Sequence, residues 1–196
     1  AIAILPIIKQ LIQDLHIGGV ETLLRFFSAA INPSLDQVVL SNALNGLIIT
    51  IATAFLAWFF SIFIGTILGI LSSNIFWEIF TNNSYIGITI RRLLSIPRAI
   101  HEVVWGLLLL QILGLHPLVA IIAIVIPYSS IIARVIANQL DSLDNKCLVA
   151  INQTGAGSVS AFTTSLIPPL FPLFATYAGY RLECALRGAT LLGVFG

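Results

Sequence analysis

The sequence has no methionine and very little charge, because Asp, Glu, Lys and Arg make up only 9% of its 196 residues. Soluble domains average about 25% charged and about 45–50% apolar residues, whereas this chain is 58% apolar. So few charges cannot solvate a globular surface, which argues against a soluble enzyme and against a disordered chain. The net charge of +1 gives no electrostatic reason to expect nucleic-acid binding.

Cysteine and histidine are also scarce. Cys147 and Cys184 form no CxxC pattern and are interpreted as two unpaired apolar side chains. The three histidines do not cluster in the sequence either, so we predict no metal site. Because a complete translated chain begins with methionine, the start at Ala1 predicts a processed chain or a fragment.

Long uncharged runs dominate the rest of the chain. A transmembrane helix needs about 20 apolar residues. Such runs cover residues 45–71, 118–137 and 159–180, and a shorter run at 100–113 is predicted to begin before Pro97. Residues 188–196 are too few to cross a membrane, so we predict a final helix that is cut off. The fold class is therefore an all-α membrane protein with about four to five spans.

Glycines and polar breaks divide these runs. Gly65 and Gly69 form a GxxxG pattern, and together with Gly46 they predict a small-residue face for close helix packing. Residues 72–84 are predicted to form a loop or interfacial turn, and residues 114–117 a tight turn between two spans. Residues 141–146 form a further polar break.

Residues 1–36 differ from the remainder because charged side chains alternate with apolar ones at helical spacing. We predict two short amphipathic helices, broken at Gly18 and Gly19 and ended by Asn32 and Pro33, that lie along the outer membrane surface. Residues 37–196 are predicted to form a single transmembrane domain. This division gives two segments with different relations to the bilayer.

The positive charges predict an orientation. Arg91, Arg92 and Arg98 stand together beside a span, and such clusters favour the cytoplasmic side. Alternating spans then put residues 141–158 in the cytoplasm and residues 1–36 outside.

Residues 147–169 carry the most informative local pattern. The pattern predicts a short cytoplasmic helix, a turn at Gly155, and a second helix that rises into a span containing three prolines. An exposed helix–turn–helix of this kind can dock in a groove of a cytosolic partner. An ordinary loop between two spans is the alternative interpretation.

This stretch resembles the EAA loop of ABC-importer permeases. Gly155 and Pro168 stand 13 residues apart, as the glycine and the final proline of that motif do, and Ala150 matches its first alanine. Val149 replaces the glutamate of the motif, and Ile151 replaces the second alanine.

Three flanking stretches resemble phosphonate-type permeases in particular. They are residues 91–107 (RRLLSIPRAIHEVVWGL), 114–118 (GLHPL) and 180–193 (YRLECALRGATLLG). The resemblance covers about residues 90–196. His101 and Glu102 stand where the family more often has Pro-Asp, which leaves the choice of substrate open.

The resemblance implies the fold and the partners of the chain. It implies a type I ABC-importer permease bundle that forms a homodimer in the inner membrane, with the translocation path at the subunit interface. A separate ATPase subunit would dock on the EAA helix, and a periplasmic or lipid-anchored binding protein would deliver a phosphonate, phosphite or related oxyanion. The permease would perform no covalent chemistry and bind no cofactor, because ATP and Mg²⁺ are used by the ATPase.

The resemblance also implies two sets of site residues. The residues of the ATPase-coupling loop are Val149, Ala150, Thr154, Gly155, Ala156 and Pro168. The candidates for the anion path or for contact with the binding protein are Arg181, Glu183, Arg187, His101 and Glu102. Glu183 and Arg187 have i,i+4 spacing and are predicted to pair, which would leave Arg181, beyond the outer end of its span, to meet the anion. A structural ion pair within the bundle is the alternative, as is a plain helix start for His101 and Glu102.

Three other functions remain open at this point. The chain could be a permease for another small solute such as an amino acid, or a non-catalytic remnant of a membrane subunit. An intramembrane enzyme would need a catalytic constellation on facing spans. Only His101 and Glu102 stand side by side, and the sequence contains neither HExxH nor a nucleophile elbow.

Overall fold

The computed structural model describes residues 17–31, 36–81, 85–143 and 146–193, and all regular structure in these ranges is helical. The helices are α1 (Ile17–Ile31), α2 (Gln37–Leu71), α3 (Asn74–Thr81), α4 (Tyr85–Leu93), α5 (Ser95–Ala99), α6 (Glu102–Leu113), α7 (Pro117–Ser142), α8 (Lys146–Gln153) and α9 (Ser158–Gly193). The all-α class predicted from the sequence is confirmed.

Three helices, α2, α7 and α9, are long and apolar enough to cross a membrane. Even the shortest, α7, has 26 residues and extends about 39 Å at 1.5 Å per residue, which exceeds the hydrocarbon core of about 30 Å. Helices α4–α5 and α6 form a bent pair that is also long and apolar enough to cross a membrane when the two parts are counted as one span. The described part of the chain therefore holds three candidate spans, or four if the bent pair forms one span. Four equals the lower end of the predicted number, and three lies below it.

The predicted span around residues 97–113 is broken rather than straight. Helices α4–α5 and α6 meet at 80°. Ile100 and His101 have extended backbone between them, and His101 Nδ1 accepts a hydrogen bond from the Val103 N–H at 3.4 Å, so a new helix begins here. Trp105 Nε1 donates to the Pro97 carbonyl oxygen at 3.2 Å and links the two sides of the bend.

Two other predicted boundaries are wrong. Residues 72–84 are not simply a loop, because α3 forms there and buries Ile75 with Phe76 and Ile79 packed beside it. The helix predicted to end near residue 180 instead continues unbroken to Gly193 in α9, so no separate helix starts at residue 188. Polar residues near these points suggest the ends of helices in the sequence, but apolar neighbours on one face hold these helices against the core.

The first compact unit, Ala1–Asn45, contains α1 and the first turns of α2. In α1, Glu21 and Arg25 form an exposed i,i+4 ion pair of 2.6 Å. Gly18 and Gly19 lie in the first turn of α1. The residues before Ile17, on which the predicted break between two helices depends, lie outside the described residues. The other predicted amphipathic helix lies in residues 1–16, outside the described residues, and the outer-surface location of residues 1–36 stays a prediction.

The second compact unit, Gly46–Gly196, holds the core. A central cluster joins helices α2, α7 and α9, and an end cluster joins α3, α7, α8 and α9. The central cluster consists of Ala54, Ala57, Ala123, Ile124, Tyr128, Ala185, Ala189 and Leu192. The end cluster consists of Ile75, Ile132, Ile136, Leu140, Leu148, Ala161, Phe162 and Leu166.

Small residues let α2 approach α7 closely. A Cβ atom at Gly65 would lie 2.8 Å from Ile132, and one at Gly69 would lie 2.7 Å from Ile136. The packing face predicted from the GxxxG pattern is therefore confirmed at these two glycines. Gly46 has nothing within 4 Å of such a Cβ atom and takes no part in this contact.

The predicted turn between α6 and α7 is also confirmed. Helix α6 ends at Leu113, and α7 begins at Pro117. Gly114 has a φ of +68°, a conformation that glycine adopts without strain. His116 Nδ1 accepts a hydrogen bond from the Leu118 N–H at 3.2 Å, so this side chain caps the new helix.

Candidate functional site

Helix α8 is amphipathic and lies at one end of the second unit. Leu148 is buried in the end cluster, and Ile151 packs against the same cluster. Val149 and Ala150 are exposed, Val149 to 50%. The helix is thus held by one face, and its other face carries the two residues that the sequence assigned to partner contact.

A glycine turn follows α8. The Thr154 N–H bonds to the carbonyl oxygens of Ala150 at 3.3 Å and Ile151 at 3.2 Å, which closes the last turn of the helix. Gly155 then has a φ of +83°, in the left-handed region, and nothing lies within 4 Å of a Cβ atom built there. The predicted sequence of short helix, glycine turn and second helix is confirmed as local structure.

The structure separates one predicted coupling residue from the others. Thr154, Gly155 and the half-buried Ala156 lie in the turn, next to the exposed end of α8. Pro168 lies inside α9, exposed, and about 15 Å along that helix from Ser158 at 1.5 Å per residue. Pro168 therefore lies away from the turn, although it belongs to the same sequence motif.

A second polar site lies between α6, α7 and α9. The Tyr128 hydroxyl donates to the Cys184 carbonyl oxygen at 3.2 Å and lies 3.5 Å from Oε1 of Glu102. Glu102 is 13% exposed at the start of α6, and His101 Nδ1 lies 3.4 Å from its Oε2. Tyr128 is buried near the middle of α7, so the Glu102 carboxylate faces the middle of a candidate span.

Arg181 completes this site. Its guanidinium carbon lies 5.1 Å from the Tyr128 ring centroid and 5.2 Å from that of Tyr177, and its Nε donates to the Tyr177 hydroxyl at 2.8 Å. The Tyr180 ring is 5.9 Å away. Helix α9 continues through Arg181 and packs it against Tyr128 of α7. The location of Arg181 beyond the outer end of the span stays a prediction. Among the described residues Arg181 forms no ion pair, so tyrosines rather than a carboxylate hold its charge.

Glu183 and Arg187 form the ion pair predicted from their i,i+4 spacing. Their side chains are 58% and 73% exposed, although both lie within the candidate span α9. Arg187 is thus held by Glu183 on the exposed side of α9. The two charges instead face outward from the described chain.

The sequence did not indicate Tyr128 or Tyr177 as site residues. Both lie in uncharged apolar runs, where a tyrosine is not distinguished from ordinary packing. Tyr177 stands four residues before Arg181 on the same helix, and this i,i+4 spacing was a signal in the sequence. The approach of Tyr128 to Arg181 and Glu102, which lie on other helices, becomes visible only once the helices are packed. Within the ranges that the structure describes, His, Cys, Asp and Glu side chains form no group of three or more that could hold a metal ion.

These features define a multi-pass helical membrane protein with a helix–turn–helix at one end and a charged, tyrosine-lined site between three helices. The chain is similar to permease proteins of phosphite and phosphate transport systems. This bears out the resemblance to phosphonate-type permeases seen in the sequence.

Three relatives illustrate the similarity. One is HtxE of Stutzerimonas stutzeri, a candidate permease of a phosphite transport system. It is 26% identical over 106 residues, which cover 54% of this chain and 41% of HtxE. The phosphite transport system permease PtxC of the same organism is 24% identical over 106 residues, 54% of this chain and 38% of PtxC. The phosphate-import permease PhnE of Mycolicibacterium smegmatis is 23% identical over 106 residues, 54% of this chain and 20% of PhnE.

The chain therefore spans less than half the length of these three relatives. No family model matches the chain, and neither does any solved structure.

Proposed function

We propose that this chain acts in the permease subunit of an ATP-driven ABC importer for phosphonate, phosphite or a related oxyanion. The observation that carries the proposal is the exposed face of α8 followed by the left-handed turn at Gly155. A short helix held by one face and bare on the other suits docking in a groove of a partner protein. Similarity to phosphite and phosphate permeases supports the class of transporter.

In this proposal an ABC ATPase subunit docks on Val149, Ala150 and the turn that follows. Closure of two ATPase subunits around ATP and Mg²⁺ moves α8, and the end cluster passes the movement to the spans. The chain itself binds no nucleotide and catalyses no covalent step. Residues 141–158 then lie in the cytoplasm, and a periplasmic or lipid-anchored binding protein delivers substrate on the other side of the inner membrane.

The exposed face of α9 supports a path at an interface between two copies. Charged side chains are expensive against lipid, yet Glu183 and Arg187 are exposed in a candidate span. A second copy facing this surface would cover the pair and enclose an aqueous path. We therefore propose a homodimer in which α9 lines the path.

Arg181 supports the choice of an oxyanion. The planar guanidinium matches phosphonate and phosphate oxygens with two parallel hydrogen bonds, and the tyrosine rings hold it in place without neutralising it. Glu102, which faces Tyr128 from the opposite helix, would set which protonation state and which substituents the anion can have.

The first experiment tests the coupling. The tagged chain is purified from its own membranes, and proteins that accompany it are identified by mass spectrometry. An ABC ATPase is expected with the wild type and is lost with Gly155→Glu. The matched control, Gly19→Glu in α1, adds the same charge at an exposed glycine outside the proposed docking surface, where a Cβ also meets nothing within 4 Å. Absence of any ATPase from the wild-type preparation contradicts the proposal.

The second experiment tests the substrate. The complex is reconstituted in proteoliposomes with its binding protein loaded with phosphonate, phosphite, phosphate or an amino acid. ATP hydrolysis stimulated by an oxyanion supports the proposal, whereas stimulation by the amino acid alone assigns the chain to another class of permease.

A further inference from the structure

A partly buried ion pair joins α4 to the end of α7. The Arg91 guanidinium pairs with the Asp141 carboxylate, and these side chains are only 16% and 18% exposed. Arg91 Nε also donates to the Ser72 carbonyl oxygen at 2.7 Å, and Nη2 donates to that of Ala137 at 3.5 Å. One guanidinium therefore ties the ends of α2 and α7 to α4, and loss of either partner would leave a partly buried charge unpaired.

Asp141 also holds the start of α3. Its Oδ1 accepts from the Ser73 hydroxyl at 2.7 Å and from the Asn74 backbone N–H at 3.0 Å. The first N–H groups of a helix have no partner within that helix, so here a residue of α7 satisfies them. One carboxylate thus fixes α3 and α4 at the same time.

Helix α4 approaches the same corner closely. A Cβ atom at Gly87 would lie 3.0 Å from the Ser73 carbonyl oxygen and 3.0 Å from Oδ1 of Asn74. Oδ1 of Asn74 is buried, and no hydrogen-bond partner for it occurs among the described residues. The corner is thus tightly packed and holds an acceptor that the present arrangement leaves unused.

The end cluster connects this corner to α8. Leu140, which precedes Asp141, is fully buried and packs in that cluster with Leu148 of α8 and Ile75 of α3. Because protein interiors are close-packed, these neighbours must accommodate any displacement of Leu148. A movement of α8 therefore reaches Asp141 through one shared set of side chains.

We propose that Arg91 and Asp141 are positioning residues that transmit movement of α8 to the bent α4–α6 segment, and so to Glu102. The proposal rests on the proposed function, in which a partner ATPase moves α8. Asp141 lies about 20 Å along α7 from Tyr128 at 1.5 Å per residue, so the pair is remote from the charged site. It acts by setting where α4 lies, and α4 leads through the bend at His101 into α6.

Two variants separate the ion pair from the rest of the corner. Asp141→Asn keeps an oxygen that can accept from Ser73 and Asn74 but removes the charge. Arg91→Lys keeps the charge but loses the fork that reaches Ser72 and Asp141 together. The matched control is Arg25→Gln, which breaks the exposed Glu21–Arg25 pair.

The experiment measures transport per ATP hydrolysed in proteoliposomes that contain the complex with its ATPase and binding protein. We expect this ratio to fall about 2- to 30-fold in Asp141→Asn and Arg91→Lys, the range for mutations that alter coupling. Arg25→Gln keeps the wild-type ratio. An ion pair with a purely structural role would lower thermal stability and yield but leave transport per ATP unchanged, and that result overturns the proposal.

Hydrogen exchange gives the second readout. In the wild type, a non-hydrolysable ATP analogue is expected to change exchange in α8 and in α4–α6. In the variants, the change in α8 persists and the change in α4–α6 disappears. If the wild type shows no change in α8, the proposed function fails; if a variant changes in both segments, the transmission through Arg91 and Asp141 fails.

Gly87→Ala covers the case in which both charge variants fail to assemble. It crowds the Ser73 and Asn74 corner without removing a charge. The same fall in transport per ATP is expected, and an unchanged ratio contradicts the proposal.

Discussion

Arg181 of α9 stacks over the ring of Tyr128 of α7, with its guanidinium carbon 5.1 Å from the ring centroid. The hydroxyl of the same tyrosine lies 3.5 Å from a carboxylate oxygen of Glu102. Tyr128 therefore stands between a positive and a negative side chain that do not pair directly. The arrangement leaves the Arg181 guanidinium without a carboxylate partner among the described residues, which the proposed contact with an oxyanion requires.

Tyr128→Phe is expected to loosen the contact between α7 and α9. The change removes the hydroxyl that donates to the Cys184 carbonyl oxygen at 3.2 Å and leaves the ring in place. Loss of one such hydrogen bond costs about 1 kcal/mol of stability. Thermal unfolding of the purified protein measures the effect, with Tyr180→Phe on the exposed side of α9 as the control. An equal loss in both variants would contradict the role given to Tyr128.

Arg181→Lys is expected to weaken uptake of the oxyanion by about 10-fold or more, because a charge-assisted hydrogen bond contributes about 1.5–3 kcal/mol. Lysine keeps the positive charge but lacks the planar fork and stacks poorly between Tyr128 and Tyr177. The KM for uptake is the quantity to measure. Arg92→Lys, at an exposed position of α4, serves as the control and should leave the KM unchanged.

Gly155→Val is expected to strain the turn after α8. A β-branched residue at a φ of +83° costs about 1–2 kcal/mol relative to its usual conformations. Gly155→Asn should be tolerated, since asparagine enters the left-handed region more readily. Gly157→Val is the matched control, because Gly157 lies in the same turn without a positive φ. Thermal unfolding and recovery of the ATPase complex are the measurements, and Gly155→Val should be the most impaired of the three variants. Equal behaviour of the three would show that the positive φ at Gly155 does not limit the choice of residue.

Gly65→Leu and Gly69→Leu are expected to destabilise the contact between α2 and α7. A Cβ atom at either position would lie 2.7–2.8 Å from an isoleucine of α7, and overpacking of this kind costs about 1–3 kcal/mol. Gly46→Leu lies on the same helix in open space and should not destabilise the protein. Unfolding in denaturant measures all three, and a similar loss for Gly46→Leu would show that the helix tolerates no leucine at any of these positions.

Leu148→Ala should lower the stability of the protein, whereas Val149→Ala should lower binding of the ATPase, although the two residues are neighbours. Leu148 is buried in the end cluster, and truncation of such a leucine costs about 2–5 kcal/mol. Val149 is half exposed, so its truncation should change stability by less than about 0.5 kcal/mol. Recovery of the ATPase should fall with Val149→Ala while the unfolding temperature stays constant. If Val149→Ala instead unfolds the protein, α8 faces the core differently from the structure described.

The apolar runs were sufficient to predict the helical class and the turn at residues 114–117. Periodicity and glycine spacing also predicted the contact at Gly65 and Gly69, because a small residue on a helix face has the same consequence in any bundle. The helix–turn–helix at Gly155 was predictable for a similar reason, since few residues other than glycine adopt its backbone conformation.

Other features depend on contacts between helices that the sequence does not reveal. Arg91 suggested only a cytoplasmic end, and Asp141 only a polar break, because nothing in the sequence says that a residue of α4 meets one of α7. The contacts of Arg181 were hidden for the same reason. Its charge suggested the end of a span, but not that its guanidinium would stack on a tyrosine of α7 while α9 continues through it.

The left-handed backbone at Gly155 also limits how this turn can change during evolution. A single-base change in a glycine codon gives Ala, Ser, Cys, Val, Asp, Glu, Arg or Trp, but never Asn, which needs two changes. Of the reachable residues, Asp is the one that adopts the left-handed region with the least strain, and it would put a negative charge on an exposed surface. Every single-base replacement at this codon therefore either strains the backbone or changes the surface charge. Gly155 is thus hard to replace in one step even though the space around it is open.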